Sequence, residues 1–353
     1  MPLVPAESVR SFVTSIFSAA GCEAAEARTI ARRLVDANLT GHDSHGVIRI
    51  PIYLGRIRTG GVRCNQHISA VVDAGAVAIL DGNAGFGQVI GEEAMQFGIA
   101  KAAALGAAVI TLRNVHHLGR IADWAEVCAA QGCASIHFVN IVDSSRGVAP
   151  FGGIDRKTGT NPFCCAIPVD GGEPIILDMA TSAVAEGKIW VARNKGLPIP
   201  AGWLVAPDGG DTTDPNAYQA SPPAALLPFG EHKGGGLSWF CELFAGVLSG
   251  GGCNLGQSTG RVQNNMLSII MRVAAFAAPD QVNRELAGFM AWMKSARPRQ
   301  KGGEILSPGE PERRLRKQRL EQGLPIDDTT WNALLESAAK LGVAPPELKT
   351  FHR

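Results

Sequence analysis

The sequence predicts an α/β fold in which a central sheet domain is joined by a helical subdomain built from both chain ends. Near each end of the 353-residue chain, apolar side chains recur at helical spacing. Between these regions, short apolar runs bounded by Gly, Asp or Pro are typical of buried strands. We therefore expect a helical subdomain over residues 1–70 and 280–353, and an α/β domain over residues 71–279.

The two chain ends account for the helical subdomain. Apolar spacing predicts N-terminal helices over Ala6–Ala20, Glu23–Leu39 and Val47–Ile57, with the run Gly41–Gly46 interrupting the pattern. The expected C-terminal helices are Gln281–Lys294, Pro311–Glu321 and Asp327–Lys340.

The middle of the chain alternates strands with helices. The expected strands are the apolar runs Ala76–Leu80, Ala107–Leu112, Ala134–Ile141, Cys164–Val169, Pro174–Leu177 and Met266–Ala274. The expected helices are Gly91–Leu105, Ile121–Gln131 and Lys233–Leu248. Prolines recur through Pro198–Pro228, which predicts a long irregular excursion.

Composition argues against several functional classes. The formal net charge is +1 with no block of one sign, so neither nucleic acid nor a membrane surface is an expected partner. The apolar stretch Gly234–Gly250 contains Glu242 and is too short and Gly-rich to span a bilayer. The segment Met1–Ala20 lacks the apolar run of a signal peptide.

Cysteine and glycine usage indicate the compartment and the surface. None of the eight cysteines forms a C-x-x-C pair and most lie in apolar runs, as small buried side chains do in a reducing compartment. We therefore expect a cytoplasmic protein. Only 18% of residues are charged and 42 are glycine, which indicates many tight turns and surface buried against a partner subunit.

One glycine motif is close to a dinucleotide-binding turn, but its surroundings argue against that function. The run Gly85–Gly91 reads G-x-G-x-x-x-G and lies between a predicted strand and a helix. A Rossmann turn would follow its strand at once, whereas here Asp81–Ala84 intervenes. Arg113, and not an acid, follows the next strand, although an arginine could bind a 2′-phosphate. We expect these glycines to pack a loop closely on a helix.

The most informative residue pair is His45 and Arg49. The two are four residues apart, so a helix continuing from Ser44 would place both on one face. A 2-oxo acid needs a proton at its carbonyl oxygen when hydride arrives, and a bidentate partner for its carboxylate. His45 and Arg49 suit those two tasks, and Ser44 is placed to orient the imidazole. A surface histidine beside a solvated arginine is the simpler alternative.

Three later positions follow strand ends or turns. His117 follows the strand Ala107–Leu112 and leads into Gly119, where amides that open a helix suit a phosphate. Thr160 lies in a Gly-Thr-Asn-Pro turn, within reach of a ligand or purely structural. Asp178 ends an apolar strand before a helix start, where a carboxylate binds a ribose hydroxyl or caps the helix.

A metal site would imply a different class of function. His42 and His45 flank Asp43-Ser44, and the pair His116-His117 precedes Asp123. Neither group has H-E-x-x-H spacing, and adjacent histidines rarely share one ion. We expect no metal; the alternative is a metal-dependent hydrolase.

Six short motifs follow one another along nearly the whole chain. They are Gly41–Gly46, Asn114–His117 with Gly119, Gly159–Pro162, Asp178–Ser182, Glu231–Gly234 and Leu306–Glu310. Together they resemble the type-2 malate/L-lactate dehydrogenase family, which also includes ureidoglycolate, sulfolactate and diketogulonate dehydrogenases and the piperideine-2-carboxylate reductases.

The resemblance implies a homodimer that binds NAD or NADP in a non-Rossmann nicotinamide-dependent dehydrogenase fold. It implies His45 as proton donor with Ser44 beside it, Arg49 near the substrate carboxylate, and His117 in the active site. Cofactor contacts would come from His45, Gly119, Arg120, Ile121, Ile176, Leu177, Asp178, Met179, Ala180, His232, Asn264, Gly309, Glu310, Pro311 and Glu312. The segment 143–146 aligns only across a gap, so no role is assigned to it.

The sequence therefore predicts hydride transfer between NAD(P) and a 2-hydroxycarboxylate, either small, such as malate or lactate, or bulkier and aromatic. The α/β domain 71–279 would bind both cofactor and substrate. Two alternatives use the same residues: reduction of a cyclic imine carboxylate, and ligand binding by a catalytically inactive relative.

Overall fold

The structure is a computed structural model that describes residues 3–142, 146–194, 196–256 and 263–346. The strands are β1 (Leu3–Val4), β2 (Ser69–Ala74), β3 (Val77–Asp81), β4 (Ala107–Val115), β5 (Cys133–Val142), β6 (Phe163–Ile167), β7 (Ile175–Met179), β8 (Leu204–Val205), β9 (Asp211–Thr212), β10 (Ala225–Leu226), β11 (Gln263–Arg272) and β12 (Leu324–Pro325). The α-helices are α1 (Ala6–Ala19), α2 (Ala24–Leu39), α3 (Ile50–Arg58), α4 (Gly87–Leu105), α5 (Ala122–Ala129), α6 (Glu186–Asn194), α7 (His232–Cys241), α8 (Pro279–Lys294), α9 (Glu310–Gln322) and α10 (Asp328–Lys340).

A mixed sheet forms the centre of the molecule. Within the described residues it has seven strands in the order β2-β3-β4-β11-β5-β6-β7, with β3 and β4 parallel and the other neighbours antiparallel. A Rossmann sheet is parallel and doubly wound. The predicted α/β fold and its non-Rossmann character are therefore confirmed.

The buried apolar residues form two large clusters, and α4 contributes to both. The helical cluster joins α1, α2, α3 and α10, and it includes Phe86 and Val89. The sheet cluster includes Ile90, Met95 and Ile99, further along the same helix. The chain ends thus pack together as predicted, but α8 buries none of its residues in this chain, so the boundaries 1–70 plus 280–353 and 71–279 stay a prediction.

Several elements differ from the sequence expectation. Strand β2 was not predicted because it is an exposed edge strand and carries no buried apolar face. The stretch Pro198–Pro228, expected to be irregular, holds the small sheet β10-β8-β9. The long helix expected at Lys233–Leu248 changes at Glu242 from α-helix to π-helix. There Glu242 accepts hydrogen bonds from two buried amides, those of Asn140 and Asn161, both at 2.9 Å.

The glycine motif packs a loop on a helix, as expected. Gly85, Phe86 and Gly87 are buried. A Cβ on Gly87 would lie 2.2 Å from the carbonyl oxygen of His117, so the start of α4 rests directly on the His117 backbone. Arg113, the alternative ligand for a 2′-phosphate, donates to Asp81 at 3.0 Å.

No described helix has the length and apolar character needed to cross a membrane.

Gly87→Ala should destabilise the protein by about 1–3 kcal/mol, as overpacking a tight contact does. The added methyl meets backbone atoms, which cannot rotate away. Urea unfolding measures the change, and Gly55→Ala in α3, where a Cβ meets nothing within 4 Å, is the matched control. Equal stability of the two variants would contradict the contact.

Candidate active site

Two predicted histidines face each other at the junction of the helical cluster and the sheet. The rings of His45 and His117 stack with centroids 5.4 Å apart and an interplanar angle of 19°. His45 comes from the turn after α2, and His117 from the loop after β4. Both are half-buried, and Ser44 Oγ lies 3.1 Å from His45 Nδ1. The structure thus brings together all three residues predicted to be catalytic.

The segment that carries His45 and Arg49 is not one continuous helix. Asp43–His45 and Val47–Arg49 are separate 3-10 turns that meet at Gly46. Asn38 fixes this break, because its Oδ1 accepts from Val47 N at 2.9 Å and lies 2.1 Å from where a Cβ on Gly46 would stand. The prediction of one helix that runs from Ser44 through Arg49 is therefore wrong.

Arg49 nonetheless lies beside the histidines. Its Nε donates to the carbonyl oxygen of Ser44 at 2.6 Å. Its charge lowers the pKa of both His45 and His117, as a secondary cause after burial.

Sequence reasoning missed Tyr53 and Gln88, which support His117. Tyr53 is fully buried on α3, and its hydroxyl lies 2.6 Å from His117 Nδ1. Gln88, on the first turn of α4, donates to that hydroxyl at 3.0 Å. Tyr53 is four residues after Arg49, so helical spacing from the predicted arginine was the available signal.

The electrostatics favour uncharged histidines. Burial, followed by the charges of Arg49, His42 and Arg120, lowers the pKa of His45 to about 3. Burial also lowers the pKa of His117 well below its usual value and raises the pKa of Tyr53 to about 12. At neutral pH the free site therefore holds two neutral imidazoles and a protonated phenol.

A cleft of about 810 Å³ lies next to this pair. His42 lines the cleft, and its ring centroid is 6.5 Å from that of His45. Five residues predicted for cofactor contact also line it: Arg120, Ile176, Asp178, Gly309 and Glu312. One wall of the cleft is formed by β7 and the loop before α9. These two segments are connected by a hydrogen bond from Ile176 N to the carbonyl oxygen of Pro308 at 3.3 Å.

Charged groups are fixed along the cleft. Asp178 accepts from Ala122 N at 2.8 Å and so caps the start of α5. Burial raises the pKa of Asp178, and His42, the Ala122 amide and Arg120 oppose that rise. Arg120 is itself buried and donates to Asp123 at 2.8 Å, while its buried Nε has no hydrogen-bond partner among the described residues.

The other predicted cofactor residues lie outside the lining of this cleft. His232 is exposed at the start of α7, with its ring 6.0 Å from that of Phe151. Both polar atoms of the Asn264 amide are used internally, accepting from Leu118 N at 2.9 Å and donating to the carbonyl oxygen of Asn140 at 3.1 Å. The remaining predicted contacts flank the lining residues in sequence: Gly119, Ile121, Leu177, Met179, Ala180, Glu310 and Pro311.

Three further predictions concern Thr160, a metal site and the segment 143–146. The carbonyl oxygen of Thr160 accepts from Thr181, and Thr160 itself is half-buried, so its contact with substrate stays a prediction. In the part of the chain that the structure describes, His116, His117 and Asp123 do not bring three ligand atoms together, and Asp123 pairs with Arg120. Residues 143–145 lie outside the described part of the chain.

Comparison with known proteins identifies the family. Residues 4–335 match the malate/L-lactate dehydrogenase family. The chain is 43% identical to hydroxycarboxylate dehydrogenase B of Escherichia coli (strain K12), covering 98% of this chain and 96% of that protein. The segments Ala37–Gly46 and Glu231–Gly234 already indicated that likeness.

Two other relatives show the range of substrates. The chain is 38% identical to a Delta(1)-pyrroline-2-carboxylate/Delta(1)-piperideine-2-carboxylate reductase of Pseudomonas putida, over 70% of this chain and 71% of that protein. The solved structure of sulfolactate dehydrogenase from Methanocaldococcus jannaschii matches with a TM-score of 0.86 at 31% identity, covering 97% of this chain and 98% of that one. The chain thus belongs to the malate/L-lactate dehydrogenase family and is an oxidoreductase acting on the CH–OH group of hydroxy acids.

Proposed function

We propose that this protein transfers hydride between NAD or NADP and C2 of a 2-hydroxycarboxylate, with His45 as the proton acceptor and donor. The observation that carries the proposal is the stack of His45 on His117 beside Arg49, at the edge of the cleft. A proton-transfer group and a carboxylate partner then lie side by side, as oxidation of a 2-hydroxy acid requires.

The residues beside the cleft have separate roles in the proposed reaction. The Nε of Arg49 donates to the Ser44 carbonyl, and the terminal nitrogens of its guanidinium would bind the substrate carboxylate. Ser44 Oγ and His45 Nδ1 share a hydrogen bond, so Nε2 of His45 is the nitrogen that exchanges the substrate proton. Tyr53 and Gln88 fix the orientation of His117, a positioning role.

The cleft fits a dinucleotide. Its volume lies in the range of about 300–1,000 Å³ found for small-molecule and cofactor sites. Arg120 has a buried Nε without a partner among the described residues, and Asp178 offers a carboxylate to a ribose hydroxyl. When bound, the nicotinamide would supply or accept the hydride. Arg120, Ile176, Asp178, Gly309 and Glu312 would hold the cofactor.

The lowered pKa of His45 affects the two directions of the reaction differently. A neutral imidazole is ready to accept the hydroxyl proton of a 2-hydroxy acid. Reduction of a 2-oxo acid needs a protonated His45. A bound carboxylate offsets the charge of Arg49, which is one cause of the lowered pKa, so substrate binding favours proton uptake.

A homodimer is supported by uncovered apolar surface. On α7 and the π-helix after it, Trp239, Phe240 and Val247 are more than half exposed, and Trp292 on α8 is 75% exposed. Surfaces of this kind mark interaction sites. The cytoplasmic location stays a prediction.

Imine reduction is the second candidate, favoured by the likeness to the Pseudomonas putida reductase. It would use the same arginine and histidine. One assay separates the candidates: pyruvate, oxaloacetate, an aromatic 2-oxo acid and cyclic imine carboxylates, each with NADH and NADPH in parallel. We expect faster cofactor oxidation with a 2-oxo acid than with any imine. No oxidation of either cofactor with any of these compounds would overturn the proposed reaction.

His45→Ala should lose about 10²–10⁴-fold in kcat, the usual cost of removing a positioned general acid or base. KM should change less, because Arg49 still binds the carboxylate. His117→Ala, measured in parallel with cofactor binding followed separately, is the comparison. If His45→Ala keeps near-normal turnover and His117→Ala does not, the proton-transfer role belongs to His117.

Arg49→Lys should raise KM about tenfold or more, since a point charge cannot make the bidentate contact and a charged hydrogen bond contributes roughly 1.5–3 kcal/mol. Arg49→Gln should in addition raise the pKa of His45, because one cause of its depression is removed. For oxidation of the 2-hydroxy acid, which needs a neutral His45, the acid limb of kcat/KM against pH then moves to higher pH in Arg49→Gln only. Arg58→Lys, at an exposed position at the end of α3, is the control, and an unchanged KM in Arg49→Lys would count against the carboxylate role.

A further inference from the structure

Two cysteines far apart in sequence meet on the side of the helical cluster. Cys22 lies in the turn between α1 and α2, and Cys64 lies in the loop after α3. Their sulfur atoms are 3.5 Å apart. Cys22 is buried and Cys64 half-buried, so the pair is closed on one side and reachable from the other.

A carboxylate completes the group. Glu26, in the first turn of α2, places an oxygen so that it and the two sulfurs all lie within 4.8 Å of one another. Glu26 is only 6% exposed. Its Oε2 accepts from Asn65 N at 2.7 Å, but its Oε1 is buried without a hydrogen-bond partner in the part of the chain that the structure describes. A buried carboxyl oxygen of this kind is costly unless a cation or a donor meets it.

The spacing matches a tetrahedral metal. Zinc binds thiolates at about 2.3 Å and carboxylates at about 2.0–2.2 Å, so two sulfurs on one zinc ion stand roughly 3.8 Å apart. The observed 3.5 Å separation is close to that value. A disulfide, at about 2.05 Å, would require the sulfurs to approach by more than 1 Å and would leave Glu26 Oε1 unpartnered.

The loops that carry the ligands are fixed independently of any metal. Asn65 adopts a positive φ of 60°. Its side chain accepts from Glu23 N at 2.7 Å and donates to the carbonyl oxygen of Gly21 at 3.0 Å. The ligands are therefore held together before binding, which reduces the ordering that a metal must impose.

We propose that Cys22, Glu26 and Cys64 bind one Zn²⁺ per chain, with solvent as the fourth ligand on the half-exposed side of Cys64. Thiolate ligands select a soft or borderline ion over Mg²⁺ or Ca²⁺. The metal joins the α1–α2 turn to the loop that follows α3, the helix that carries Tyr53. It lies outside the catalytic site, and its function is to hold that helix in place.

Zinc binding to the full-length protein tests the proposal. The chain is stripped of metal, kept reduced with a phosphine, and titrated with Zn²⁺ against a chromophoric chelator. We expect one Zn²⁺ per wild-type chain. Cys22→Ser and Cys64→Ser should each weaken binding by more than the roughly 10–100-fold that loss of an outer-shell partner causes. Glu26→Gln should weaken binding while keeping both thiols.

Cys165→Ser combined with Cys253→Ser is the matched control, because both are half-buried thiols outside the cluster, and it should bind zinc like the wild type. In the wild type, Zn²⁺ should slow alkylation of Cys22 and Cys64, and Co²⁺ should give a thiolate charge-transfer band. These two readouts need no variant to fold. Zinc affinity unchanged by both serine substitutions, or alkylation of the two thiols at the same rate with and without Zn²⁺, would overturn the proposal.

Discussion

The active site depends on the contact between the start of α4 and the loop that carries His117. Phe86 anchors this end of the helix in the helical cluster, and Ile90, one turn later, belongs to the sheet cluster. Between them, Gly87 lies against the His117 backbone and Gln88 reaches Tyr53. One helix therefore sets the position of His117, which comes from the sheet, relative to His45, which comes from the helical side. The ring stack follows from this shared helix.

Most helices and the central strands could be predicted because their apolar periodicity is local. His45, Arg49 and His117 could also be selected, since each combines a suitable side chain with a turn or strand end. Strand β2 could not, because an exposed edge strand has no buried face to leave a pattern. The bond of Tyr53 to His117 joins residues 64 positions apart, and no periodicity reports such a contact.

The family resemblance identified residues of the site, but it did not distinguish those that line the cleft from those that hold other parts of the site in place. Asp178 lines the cleft and at the same time caps α5 through Ala122 N. Asn264 has both polar atoms of its amide engaged, and through Leu118 it holds the loop that follows His117. Both residues make contacts that shape the site, but of the two only Asp178 lines the cleft. A motif match identifies a residue as part of the site. The structure then shows whether that residue lines the cleft or supports a neighbouring loop.

The electrostatics of the site set the same requirement for an oxo acid and for an imine, because in both reductions a proton must enter surroundings that resist positive charge. Hydride adds readily to an imine carbon only when its nitrogen is protonated, so the reacting species is a cation. The same surroundings lower the pKa of His45, His116 and His117, with Arg49 contributing in all three cases, which means that the site resists a further positive charge. With a 2-oxo acid the added proton is carried by His45, whereas with an imine it is carried by the substrate nitrogen, and both substrates bring a carboxylate that Arg49 attracts. The bound carboxylate offsets the charge of Arg49 in both cases, so the two reactions differ in which atom holds the proton and not in the charge that the site must accept.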